Sequence, residues 1–353
     1  MTSSAAPPVA AAPLEAWRIY FPTAALLGVG GLVAWSMQLG GVPLGILPRD
    51  HGAFMAWGVL GTGIQGFLLT AYPKQNDAPA PGRRFLLALL TLQVAAAVAL
   101  LAGQPSLAPL PWAVLVAWSV DIAQPSLRRK WDATTAAVPP VLLSGLVGSV
   151  VHAAGGAGTA IGVHAFVLPM ALAVLDRVLP FSSSRVLPTY AGRRLPWFLG
   201  PVLVASWMRA TAYPRLGAGI LLALLLRQVW GWQPWPASRT PMIVVLHLGV
   251  AWIAASWVLT LGGATPSVVT HALAIGGLGS LLFGVSMRVV RGHSGLPIVL
   301  GKVGALVLLF AQVAVVLRVS GVALPAAAAA LAGAFALWLL GFGRVSWRGS
   351  GRP

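Results

Sequence analysis

The sequence predicts an all-α, polytopic membrane protein of about twelve transmembrane helices, and three observations carry that expectation. The 353 residues are 58% hydrophobic and only 8% charged, with a mean hydropathy of +0.85, far from the composition of a soluble domain. Apolar runs long enough to cross a hydrocarbon core of about 30 Å recur along almost the whole chain. The basic residues fall between those runs in an alternating pattern, as loops on two sides of a bilayer require.

Taken in order, the runs cover about 20–41, 51–72, 85–102, 107–122, 133–153, 161–180, 196–212, 216–232, 240–261, 267–290, 297–317 and 322–342. The first follows a small, Pro-rich stretch that is uncharged until Glu15 and lacks a basic region, so residues 1–16 read as a flexible tail and the first run as an uncleaved span. The second opens on Arg49, Asp50 and His51. The runs at 107–122, 196–212 and 216–232 are short or broken by proline, which leaves ten or eleven crossings as the alternative counts. Around the last run, Ala326–Ala332 is helix-favouring and serves packing alone. Between the spans the longest polar stretches, 73–84, 123–132 and 181–195, are only loop-sized. The chain therefore divides into a tail at 1–16, one transmembrane domain at 17–343 and a basic tail at 344–353.

Charge settles the expected orientation. One side collects Arg18, Lys74, Arg83, Arg84, Arg128, Arg129, Lys130, Arg177, Arg185, Arg193, Arg194, Arg239, Arg288, Arg291, Lys302, Arg344, Arg348 and Arg352, eighteen in all, against four opposite, Arg49, Arg209, Arg215 and Arg318; Arg227 lies within a helix. The positive-inside rule places both termini in the cytoplasm, hence an inner-membrane protein with an even number of spans. The net charge of +17 forms no soluble basic face, so nucleic acid is not an expected partner; membrane lipids are.

Scarcity excludes several chemistries. Without cysteine there is no disulfide, thiolate-held cluster or covalently attached c-type haem, so any haem is non-covalent and any copper uses imidazole, thioether or carbonyl donors. Asp50, Asp77, Asp121, Asp132 and Asp176 lie at or beyond helix ends, which disfavours ion-coupled transport through a midplane carboxylate.

The histidines are the candidate site. His51, His152, His164 and His271 fall at the extracytoplasmic ends of their spans, whereas His247 lies about seven residues into the ninth span, in the cytoplasmic half, and His293 follows the tenth on that same side. Imidazoles gathered at one depth of a bilayer imply a bound metal or haem. His51 and Met55 share a helix face at i, i+4 and could serve haem iron or cuprous copper, or Met55 is core filler. His152, beside Gly155 and Gly156, reads as an interfacial residue, and His293 as a turn residue. Small residues recur at Gly58, Thr62 and Gly66 and at Ala272, Gly276, Ser280 and Gly284, stripes that admit either a neighbouring helix or a flat macrocycle. Arg49 could neutralise haem propionates at the outer surface, and Arg177, Arg288 and His247 could form an inner polar cluster, unless the two arginines snorkel to phospholipid head groups.

These residues also resemble a known family. His51-Gly-Ala-Phe-Met55 leading into Gly66-Phe-Leu-Leu-Thr-Ala-Tyr-Pro73 is similar to a signature of the NnrS proteins. Asp176-Arg177-Val-Leu-Pro180-Phe181, Leu246-His247-Leu-Gly249-Val-Ala-Trp252, His271-Ala-Leu-Ala-Ile-Gly276, Met287-Arg288 and Gly292-His293-Ser294-Gly295 follow in order, so the likeness covers roughly residues 45–300. It implies a haem- and copper-containing protein of the bacterial cytoplasmic membrane, acting in nitric oxide metabolism and tolerance of nitrosative stress. It implies no particular reaction. The family pattern His-x-His-Glu-Met is altered, because Ala53 and Phe54 stand where the second His and the Glu would be. On this reading His51, His164, His247 and His271 bind haem, with copper a further metal for His51, Met55 and His271. The competing expectation is a cofactor-free permease for a small anionic solute, suited by Gly- and Pro-broken helices.

Overall fold

Prolines start six of the twelve helices, and glycines decide how closely several of them pack. The computed structural model describes residues 14–187, 189–194, 196–234 and 240–347. In chain order the helices are α1 Trp17–Leu39, α2 Pro48–Gln75, α3 Arg83–Leu101, α4 Pro105–Arg129, α5 Ala133–Ala153, α6 Gly158–Arg185, α7 Leu199–Thr211, α8 Pro214–Trp232, α9 Pro241–Leu261, α10 Pro266–His293, α11 Gly301–Ser320 and α12 Leu324–Trp347. No strand occurs among the described residues. Pro48, Pro105, Pro214, Pro241, Pro266 and Pro325 occupy the first turn of their helices, where a missing N–H costs nothing. Asp132 caps α5 by accepting from the Thr135 amide, and Thr265 caps α10 through the Val268 amide.

Ten of these helices are long and apolar enough to cross a membrane. The other two, α7 and α8, are two of the three runs that looked short in the sequence; the third, α4, is a 25-residue helix once its opening turn is included. At 13 residues α7 rises only about 20 Å. The pair nonetheless runs between the two ends of the bundle. Arg209 near the end of α7 meets His164, whereas Arg194 before α7 meets Asp176 and Trp232 at the end of α8 meets Tyr190. The start of α1 and the end of α12 lie together, because Arg18 donates to the Ser346 carbonyl at 3.1 Å, and that requires an even number of passes between them.

Three helices form the middle of the bundle. α2, α6 and α10 are each 28 residues long, and 78, 78 and 61% of their apolar windows are buried, against 33–50% for the other seven spans. They recur at every fourth helix, and each contains a π-helical stretch: Phe54–Leu60, Gly162–Val167 and Ala272–Gly279. A fourth such stretch, Leu339–Gly343, lies near the end of α12. π turns widen a helix locally, misalign its backbone hydrogen bonds and concentrate at functional positions. Gln93 of α3 answers one such site by donating to the Trp57 carbonyl at 2.7 Å and to Thr62 at 3.1 Å.

The small-residue stripes are filled by protein, which corrects the macrocycle alternative. Gly58 faces Ala97 of α3, and Gly66 faces Tyr20 and Phe21 of α1. On α10, Gly276 faces Trp252, Ser280 accepts from Gln312 at 3.0 Å, and Gly284 faces Val245 and Leu246. Both stripes are helix-packing surfaces.

At the segment ends, residues 1–13 and 348–353 of the expected tails lie outside the described residues. Residues 14–16 are not loose: Ala16 is buried, and Glu15 pairs with His293 and Lys74. Residues 344–347 continue α12 as helix, with Ser346 buried.

Candidate functional site

The π turns place three histidines at one end of the bundle. His51 sits three residues before the π stretch of α2, His164 lies inside that of α6, and His271 directly precedes that of α10. His51 and His271 share a cavity of about 360 Å³, lined mainly by apolar side chains, that also takes in Trp35, Met55 and Arg318. The volume is that of a small-molecule or cofactor site.

Hydrogen bonding fixes what each imidazole offers. The Nδ1 of His271 lies 2.7 Å from the Ser267 carbonyl one turn earlier, which can only accept, so Nδ1 carries the proton and Nε2 keeps its lone pair. The ring of His51 stacks on Trp35, centroids 4.3 Å apart and planes within 12°, and its Nδ1 is buried with no hydrogen-bond partner. Arg318 donates to Ser267 Oγ at 2.7 Å and so anchors a guanidinium to the same turn that orients His271.

His164 faces a second cavity, of about 380 Å³, together with Arg209 and Arg215. Thr159, Val163, Pro266 and Thr270 line both cavities and form the wall between them. Arg209 Nε donates to His164 Nδ1 at 3.3 Å, which leaves the proton of a neutral ring on Nε2. The four expected ligands are thus not one cluster. His51 and His271 converge, His164 lies across the wall with an N–H outward, and His247 lines neither cavity, its Nε2 buried without a partner elsewhere in α9. Among the described residues no three His, Asp or Glu side chains gather as a metal-binding group.

The remaining assigned residues sit as follows. Met55 lines the His51 cavity, so the i, i+4 pairing does bring it there. Arg49 is turned outward, 63% exposed, and pairs with Asp50 at 3.6 Å instead of lining the cavity. Arg177 bonds Asp132 at 2.6 Å, and Arg194 bridges Asp132 and Asp176 at 3.9 and 3.5 Å, so the inner polar cluster is built on carboxylates. Burial works to raise the Asp132 carboxyl, but the Thr135 amide and Arg177 outweigh it and hold it below its ordinary value. Among the described residues no hydrogen bond joins Arg288 to Arg177 or His247; it lies within electrostatic range of Arg185.

Two histidines have partners that the sequence did not indicate. His152, in the last turn of α5, is buried, with Nε2 3.5 Å from the buried carboxylate of Asp50. His293 closes a pair with Glu15 at 2.9 Å beside Trp17. Phe54, standing where the family pattern has Glu, points away from the cavity and fills the space left by Gly31 of α1.

Trp35, Asp50, Arg209, Arg215 and Arg318 were not among the site residues read from the sequence. A signal for the arginines was present, because Arg209, Arg215 and Arg318 are three of the four basic residues that break the positive-inside pattern, and each lines a histidine cavity.

Comparison with known proteins agrees with the likeness seen in the motifs. A family model described as NnrS protein matches residues 13–350, nearly the whole chain. No curated protein matches it.

Proposed function

This chain belongs to the NnrS family of proteins, and from that premise we propose that it holds a non-covalent haem between His51 and His271 and meets nitric oxide there. The observation that supports this most directly is the convergence of the two imidazoles on one cavity, with Nε2 of His271 left free by the bond to Ser267. When bound, haem would supply an iron able to bind nitric oxide.

The chain's own residues supply the rest. Ser267 fixes the tautomer and angle of His271. Trp35 holds the His51 ring by stacking and excludes water from its face. Arg318 offers a guanidinium to the acid side chains of the cofactor, the role that the sequence suggested for Arg49. Met55 adds a thioether to this cavity, and a copper ion taken in place of haem would be held by Met55 with His51 and His271. An apolar pocket begins on the other side of Leu60 and is lined by Ile64, Val167 and Leu278 from the three central helices; it is a path that a small apolar gas could follow through the bilayer region.

In the cell we place the protein in the bacterial inner membrane with both termini in the cytoplasm, because the sequence assigns eighteen Lys and Arg to the side that carries Arg18, against four opposite, and Arg18 meets Ser346 at the end of α12.

The test is an optical spectrum of the purified protein from haem-replete cells, oxidised, reduced and with nitric oxide added, together with iron and copper analysis. The expected result is a Soret band that shifts with nitric oxide and is lost in His51→Ala and His271→Ala but kept in His293→Ala. Equal haem in all three variants, or a colourless iron-free protein, overturns the proposal, and the latter result makes an anion permease the leading reading.

A further inference from the structure

A buried positive charge in a membrane protein has to be explained. Arg209 is 6% exposed, yet the groups that hold its guanidinium are neutral: Nε donates to His164 Nδ1 at 3.3 Å and Nη1 to the Pro214 carbonyl at 3.3 Å. No carboxylate lies within ion-pair distance of it among the described residues. Burying a cation without a counter-charge is among the most costly arrangements a fold can contain, and within a membrane such a residue marks a functional position.

The surroundings add to the charge instead of cancelling it. Arg215 lines the same cavity of about 380 Å³ and has no carboxylate partner there. Of the six acids five, Glu15, Asp77, Asp121, Asp132 and Asp176, belong to the opposite half of the bundle, with Asp121 and Asp176 in the second halves of α4 and α6. Asp50 is the acid at this end, and it is engaged by Arg49 and His152. Since Arg209 takes Nδ1 of His164, the ring's remaining N–H at Nε2 is a donor for which no protein acceptor is recorded among the described residues. Two guanidiniums and one imidazole N–H therefore share a cavity whose other polar groups include the hydroxyls of Thr159 and Thr270.

We propose that this cavity is a binding site for a small oxyanion of carboxylate or nitrite size, held by Arg209 and Arg215 with His164 as a neutral donor. The fit is one of kind and number, because planar guanidinium forks match carboxylate-like oxygens and charge-assisted donors are the strong ones. Two sources offer that chemistry: a free anion from the outer compartment, or an acid side chain of a cofactor lodged behind the shared wall of Thr159, Val163, Pro266 and Thr270. The site itself is made of protein and stands whether or not the adjacent cavity holds haem.

The experiment is calorimetric titration of the full-length protein in nanodiscs, prepared once from haem-limited and once from haem-replete cells, with sodium acetate, sodium nitrite and, as the control for ionic strength, sodium chloride. Saturable binding of acetate or nitrite to both preparations identifies a free anion as the occupant, and binding to the haem-limited protein alone identifies the cofactor's own carboxylate. Arg209→Gln should weaken binding by about tenfold or more, the loss expected for one charge-assisted contact. Arg215→Gln, at an exposed position that leaves folding intact, should weaken it in the same direction, and Arg209→Lys should retain part of it. Absence of saturable binding in both preparations, or unchanged binding in Arg215→Gln together with Arg209→Gln, overturns the proposal. Haem content is read separately in each preparation, so loss of the haem reading and loss of the anion site are distinct results.

Discussion

Gln93 of α3 donates to the Trp57 carbonyl of α2 at 2.7 Å, within the π stretch that follows His51. The same amide nitrogen reaches Thr62 Oγ1 at 3.1 Å, and its oxygen accepts from Gln65 at 2.7 Å. A widened turn leaves backbone groups that the helix does not satisfy for itself, and here a neighbouring side chain does so.

Gln93→Leu is expected to cost about 1–3 kcal/mol, the penalty of leaving buried polar groups without partners. The thermal midpoint of the detergent-solubilised protein should fall, and haem uptake should fall with it, because the π stretch sets the position of His51. A variant with unchanged stability would show that the π stretch needs no such support.

Gly31 and Phe54 form a matched pair, since a Cβ at position 31 would overlap the Phe54 ring. Gly31→Ala should therefore destabilise by about 1–3 kcal/mol through overpacking. Combining it with Phe54→Leu should restore part of the loss. Additive effects in the double-mutant cycle would refute the contact.

Arg318 should matter to cofactor retention more than Arg49. Arg318→Gln removes the guanidinium beside His271 and is expected to lower haem affinity about tenfold, as the loss of one charged hydrogen bond does. Arg49→Gln should leave haem content unchanged. The reverse order would return the propionate role to Arg49.

Glu15 links the start of α1 to the end of α10. The hydrogen bond from His293 is the main cause that lowers its carboxyl to about 2 from 4.5; burial opposes it, and Trp17 and Lys74 add to the lowering. Because the folded value is depressed, the stabilisation is complete above the unfolded value and is lost as pH falls through about 2. With Glu15 about a quarter exposed and screened, Glu15→Gln should cost roughly 1 kcal/mol at neutral pH, and the gap from the wild type should close between pH 4.5 and 2. Melting curves across that range test it, and a gap that persists at pH 2 would contradict the assignment.

Composition and spacing alone determined the all-α membrane fold, because a bilayer admits few solutions and long apolar runs between basic loops specify one of them. The layering of His51, His164 and His271 at one end was legible for the same reason, since helix rise converts sequence position into depth. Rotation about the helix axis was not legible. Each span turns its residues through a full circle, and which face meets which neighbour depends on packing with segments far away in the chain. That is why only the tertiary structure separated His271, held by Ser267 and facing His51, from His164, held by Arg209 across the wall. It is also why the small-residue stripes proved to be helix contacts and why Arg318 replaced Arg49 at the cavity. The π turns shift that rotation within α2, α6 and α10, and no periodicity read at 3.6 residues per turn could have placed the side chains beyond them.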